Sequence, residues 1–219
     1  MTDRPVRTTW GRLGRRGASR GARAAVASVA ALALSLGLAA CTSANDGLID
    51  SYRQGSNKGF ISGDGRVQEI PADQRGAAVA FTGKAVDGST VTNADYADRV
   101  LVLNFWYAGC GPCRAEAPVL ESTAQAVAAN GATFLGVNIY DGPEQATAFE
   151  QSYGITYPSL LAKEDADLRL AFASWTPLQS VPITLVLDRQ GRVAARFIGQ
   201  VESESVLRTV VDDVAAEAS

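Results

Sequence analysis

Two of the chain's three cysteines, Cys110 and Cys113, stand two residues apart in NFWYAGCGPCRAEAP, residues 104–118. Thiols at that spacing suit thiol–disulfide exchange: one thiolate attacks a disulfide, and the second thiol resolves the mixed disulfide that forms. Half of a zinc site is a competing use. Zinc takes four ligands, however, and the chain has no histidine and no second CxxC pair. A structural bridge is a further alternative, although closing so short a loop removes little chain entropy. The absence of histidine also removes His-dependent triads.

The neighbouring residues favour the redox use. Val100-Leu101-Val102-Leu103-Asn104-Phe105 is a nearly continuous apolar run, as expected for a strand covered on both faces. From Pro112 onward the pattern is helical, with Val119, Leu120, Thr123 and Val127 at helical spacing and a stop at Asn130-Gly131. Cys110 thus falls at a strand end and Cys113 in the first turn of a helix. Unpaired N–H groups and the positive end of the dipole gather there. That setting lowers a cysteine pKa and favours the attacking thiolate.

The remaining elements alternate. Residues 79–86 and 89–92 flank Asp87-Gly88 and read as a hairpin with a two-residue primed turn. Strands are expected at 133–139, 157–161, 183–187 and 192–198, the last two joined by a turn at 188–191. Helices are expected from a start signal at 141–144 to about 153, at 165–172 and from 202 to about 216. Strands alternating with helices, then a closing hairpin and helix, make an α/β layered domain.

The motif resembles the TlpA/ResA family of membrane-tethered thioredoxin-like proteins. The likeness runs from about Ala78 to the C terminus and includes Gly136-Val137-Asn138, Tyr157-Pro158, Val181-Pro182 and Leu187-Asp188-Arg189-Gln190-Gly191. It implies a thioredoxin-like fold with an N-terminal β-hairpin and a central insertion. It implies that Cys110 attacks, that Cys113 resolves, and that the two form a redox-active disulfide. It makes Val181-Pro182 the family's cis-proline segment, which lies opposite the disulfide and pairs with substrate backbone. Glu116 matches the family's acidic residue three beyond the second cysteine. Its bland alternative is a first-turn glutamate favoured by the helix dipole. Asn104 stands where cytoplasmic thioredoxins have a buried Asp, and an asparagine cannot shuttle a proton, which is a reason to give that catalytic work to Glu116. The family usually has Trp before the first cysteine, but this chain has Gly109. Tyr107 is the candidate to replace that aromatic docking surface, although Trp106 and Tyr107 also read as core residues.

The first 40 residues look like an address. They carry seven Arg and one Asp, a net of +6, against −3 for the whole chain, so residues 41–219 carry −9. An acidic domain is a poor match for nucleic acid. Residues 24–40 are uncharged and almost wholly apolar and lead into Leu38-Ala39-Ala40-Cys41, which resembles a bacterial lipobox. The expectation is a signal peptide at 1–40 and lipidation of Cys41. An uncleaved signal anchor is the alternative, since an uncharged stretch of seventeen residues sits at the short edge of a membrane span. Residues 41–76 read as tether and polar linker, and the thioredoxin-like domain as 77–219. A flexible coil of about 30 residues reaches on the order of 30 Å.

The family's cytochrome c biogenesis reductants are the most similar in pattern. The resemblance therefore implies apocytochrome c or other exported thiol proteins as clients. It also implies a CcdA-type membrane electron donor and a place on the outer face of the membrane, with no cofactor. The alternative is a protein-folding oxidant of the same fold. A peroxiredoxin-like peroxidase lacks its Pro-xxx-Thr-xx pattern here, and a non-catalytic binding lipoprotein is the remaining alternative.

Overall fold

The computed structural model describes residues 66–176 and 180–217. The expected signal peptide, Cys41 and most of the expected linker lie outside those residues.

The described chain runs β1 (Val67–Glu69), β2 (Thr82–Lys84), β3 (Thr90–Thr92), β4 (Val100–Trp106), α1 (Gly111–Val127) and β5 (Ala132–Asn138). It continues through α2 (Pro143–Tyr153), β6 (Ser159–Leu161), α3 (Ala166–Phe172), β7 (Ile183–Leu187), β8 (Val193–Ile198) and α4 (Glu204–Ala216). Six strands form one sheet in the order β1-β8-β7-β4-β5-β6. Strands β4, β5 and β6 pair in parallel, and β7, β8 and β1 are added antiparallel. The β2–β3 hairpin is separate, bridged to β6 through Ala85 and Leu160. Between β5 and β7 the chain inserts α2, β6 and α3.

All seven residues of β4 are buried because both faces of the sheet are covered. Leu101, Leu103 and Phe105 pack with Leu168 and Phe172 of α3 and with Phe81 beside the hairpin. Val100 and Val102 pack with Leu120 and Val127 of α1 and with Leu207 and Val211 of α4. Each such fully buried side chain stabilises the fold by about 1.5–3 kcal/mol. The alternation sends Asn104 toward the α1 side, where the site is built.

Two expectations change. Val67–Glu69, inside the expected linker, is an edge strand paired with Ala195–Phe197 of β8, so the sheet begins well before residue 77. The hairpin turn is not a primed pair. Gly88 donates to the Ala85 carbonyl and is left-handed at φ 84°, and Ala85 pairs with Ser89. This is a three-residue loop with a glycine bulge. Asp87 supports it by accepting from the Ser89 backbone and hydroxyl.

Candidate active site

Strand β4 ends at Trp106, a short turn follows, and α1 begins at Gly111. Cys110 is the N-cap of α1, and its sulfur accepts the Cys113 backbone N–H at 3.1 Å. Pro112 lies within the first turn, where a missing N–H costs nothing. The two sulfurs form a disulfide with Cα atoms 5.2 Å apart. Both cysteines are buried, Cys110 at 4% exposure and Cys113 at 2%. When the bridge is reduced, the N-cap position offers the Cys110 sulfur a backbone donor and the positive end of a helix, both of which favour a thiolate.

Glu116 lies one turn beyond Cys113 on the buried face of α1 and is wholly buried. Its Oε1 accepts the Asn104 side-chain amide at 2.8 Å, and its Oε2 accepts the Val201 backbone N–H at 2.8 Å. The same Asn104 nitrogen reaches the Thr184 hydroxyl at 3.1 Å. Burial pushes the Glu116 pKa up to about 7, against the two hydrogen bonds that favour the carboxylate. A carboxyl with that proton affinity can either give or take a proton near neutral pH. A crevice of about 10 Å³ lies behind Cys113, walled by Asn104, Trp106, Tyr157 and Ser159.

The Val181-Pro182 peptide is cis, and Val181 packs against the cluster that holds both cysteines. The Pro182 carbonyl accepts from Gly199, which ties this segment to the end of β8. Trp106 and Tyr107 separate into different roles. Trp106 is buried and stacks on Phe149 with ring centroids 4.2 Å apart. Tyr107 is half-buried and meets Tyr140 edge-on at 5.1 Å. A Cβ at Gly109 would lie 3.2 Å from the Tyr107 ring, so the tyrosine occupies the space beside a residue with no side chain. Tyr140 is 42% exposed, and its ring lies beneath the Arg169 guanidinium at 6.0 Å.

Sequence reasoning did not find Thr184, Val201 or Asp141. Asp141 accepts the Ala108 backbone N–H at 2.5 Å. The available signal was Asn138-x-x-Asp141 at the end of a strand, a pairing of turn-forming residues. Val201 contributes only its backbone and leaves no mark in composition.

A family model described as Redoxin matches residues 68–211. The thiol:disulfide interchange protein HelX of Rhodobacter capsulatus is 33% identical over 126 residues, 57% of this chain and 66% of HelX. The thiol-disulfide oxidoreductase ResA of Geobacillus thermodenitrificans is 26% identical over 112 residues, 51% of this chain and 62% of ResA. The chain thus spans just under two thirds of these relatives. Among solved structures, a secreted thiol-disulfide isomerase from Corynebacterium glutamicum has a TM-score of 0.62 at 30% identity, covering 73% of this chain and 98% of that one. A DsbF homologue from Corynebacterium diphtheriae has a TM-score of 0.60 at 31% identity, covering 70% and 96%. This chain shares its α/β thioredoxin-like fold with those two structures.

Proposed function

The chain belongs to the redoxin family, and from that premise we propose that it is a thiol–disulfide oxidoreductase working outside the cytoplasmic membrane. The observation that carries the reading is the Cys110–Cys113 bridge seated on the N-terminus of α1, with the Cys113 N–H on the Cys110 sulfur. In the reducing direction, the Cys110 thiolate attacks a client disulfide. A Cys110–client bond forms and one client thiolate leaves. Cys113 then gives its proton to Glu116 and attacks the Cys110 sulfur. The second client thiolate leaves and the Cys110–Cys113 bond closes. Two electrons pass from the dithiol to the client, and the Cys110 proton has already gone to solvent. Val181 and Tyr107 pack against the cluster that holds the bridge, and in this reading they and Pro182 hold the client backbone.

The client of this reading is apocytochrome c or another exported thiol protein, and a CcdA-type membrane protein resupplies the electrons. The Leu-Ala-Ala-Cys pattern supports anchoring through a lipid on Cys41. The names of the relatives, interchange protein and oxidoreductase, are compatible with this direction. The likeness to a protein named as a secreted isomerase favours a second reading, in which the chain oxidises or reshuffles folding proteins.

Glutathione equilibration of the purified chain separates the two. A reductant lies toward the thioredoxin end of the scale, about −270 mV, and an oxidant toward DsbA at about −120 mV. The expected value lies below about −180 mV, the level of protein disulfide isomerase. A higher value favours the second reading. In cells, loss of Cys110 is expected to deplete c-type cytochromes, with partial recovery on adding external thiol.

A further inference from the structure

We propose that Asp141 is a positioning residue for the nucleophile, acting through the Ala108 backbone amide. The inference rests on the oxidoreductase reading and assigns a residue that the cysteine motif does not contain.

The turn between β4 and α1 is short and must deliver the Cys110 sulfur to the helix N-terminus. Its start is tied to the end of β5, since Ile139 N–H donates to the Trp106 carbonyl at 3.0 Å. Its close is a local bond from Cys110 N–H to the Tyr107 carbonyl at 3.1 Å. Between them stands Ala108, whose N–H donates to Asp141 Oδ2 at 2.5 Å. Asp141 is itself held. The same Oδ2 accepts the Asn138 side-chain amide at 2.8 Å, and the Asp141 N–H donates to Asn138 Oδ1 at 2.8 Å. Asn138 Oδ1 also accepts from Tyr140 N–H at 3.2 Å. Asn138 is wholly buried and faces Trp106 across the β4–β5 ladder. The chain of support therefore runs from the core strand β5, through Asn138 and Asp141, to the amide two residues before Cys110.

The arrangement has chemical consequences. A carboxylate on a backbone N–H makes a charge-assisted bond, stronger than a neutral one. It fixes the turn without touching either sulfur. A freed turn would let the Cys110 sulfur leave its N-cap position and lose the donor that favours its thiolate. Misplacement of a reacting group by about 1 Å costs up to about 10²-fold in rate.

The test uses reduced full chain and a small alkylating reagent, with no client. The rate at Cys110 is followed against pH, and the equilibrium constant with glutathione is measured. Asp141→Ala is expected to slow alkylation at neutral pH about tenfold and to move the glutathione equilibrium. Asp141→Asn is expected to restore both to within about twofold, because one amide oxygen in the place of Oδ2 accepts both bonds. Should Asp141→Ala not fold, Asp141→Glu displaces the carboxylate by one methylene and carries the same expectation of slowed alkylation. Two results overturn the proposal. In one, the disrupting variant melts earlier but alkylates and equilibrates like the wild type. In the other, Asp141→Asn is as impaired as that variant. Neither readout depends on client or direction, so the function reading fails separately, on the wild-type behaviour.

Discussion

The Glu116 carboxylate accepts the Asn104 side-chain amide at 2.8 Å inside the core, and among the described residues no Lys or Arg forms an ion pair with it. A neutral donor satisfies an oxygen but does not cancel a charge. The burial penalty on the ionised form therefore prevails over two hydrogen bonds, and the proton is held to about pH 7.

Glu116→Gln should remove an inflection near pH 7 from the resolving step. Proton transfer by a placed carboxyl contributes roughly 10²–10⁴-fold. The fold should persist, because Asn104 can reverse its amide and the Thr184 hydroxyl can donate as well as accept. Single-turnover exchange followed from pH 5 to 9 checks this. A wild-type profile in the variant would reduce Glu116 to a packing residue.

The same carboxyl links stability to pH. Its pKa is raised on folding from its ordinary 4.5 to about 7, so between those values the folded chain holds a proton that the unfolded chain releases. Its contribution is complete below pH 4.5, declines as pH rises and is lost above about pH 7. The swing is on the order of 3 kcal/mol. Urea unfolding at several pH values should show the decline, and Glu116→Gln should flatten it.

Cys113→Ser should accumulate mixed disulfides through Cys110, because the resolving thiol is gone. Cys110→Ser should accumulate few. Trapping with exported proteins under non-reducing electrophoresis distinguishes them, and the reverse pattern would exchange the two roles.

Gly136→Ala should destabilise the chain and disturb the site together. A Cβ there would overlap Ser159 Oγ and lie 2.8 Å from Trp106 Nε1, next to the strand that leads to Cys110. Overpacking of this kind costs about 1–3 kcal/mol. Thermal unfolding and Trp fluorescence measure both effects.

Arg75→Met should cost about 3 kcal/mol while leaving the exchange rate unchanged. The Arg75 guanidinium is buried between Asp188, at 3.0 Å, and Glu217. Asp188 follows the end of β7 whose Leu187 pairs with Leu101, so this cluster lies at the opposite end of β4 from Cys110. A changed rate would show that the two ends of the sheet communicate.

Cys41→Ala should release the protein from membranes or leave its precursor unprocessed, because it removes the sulfur to which the Leu-Ala-Ala-Cys pattern assigns the lipid. Membrane fractionation with mass spectrometry of the N-terminus reads it. An unchanged fraction, normal processing and no lipid would exclude the lipobox.

Much of this molecule was legible in order along the chain. The apolar run at β4, the Pro112 start and Gly131 stop around α1, and the Gly142-Pro143 entry to α2 are local signals, and the structure places those elements within a few residues of expectation. The CxxC spacing likewise specifies where two thiols meet on a helix N-terminus, because three residues of helix determine their separation. Strand β1 was not legible. Three residues have no period to read, and Val67–Glu69 is a strand only because β8 offers it an edge. The hairpin turn was misread because Asp-Gly fits two loop types, and the Ala85–Ser89 pairing selects one.

The proton affinity of Glu116 was beyond any local reading. Its partners are Asn104, twelve residues back, and Val201, 85 residues on. The grip of Asp141 on Ala108 spans 33 residues. Residue type and spacing along the chain determined which groups can react. Desolvation and partners brought together from distant segments set how strongly Glu116 holds its proton and where the nucleophile's turn is anchored, and these exist only once the sheet has closed.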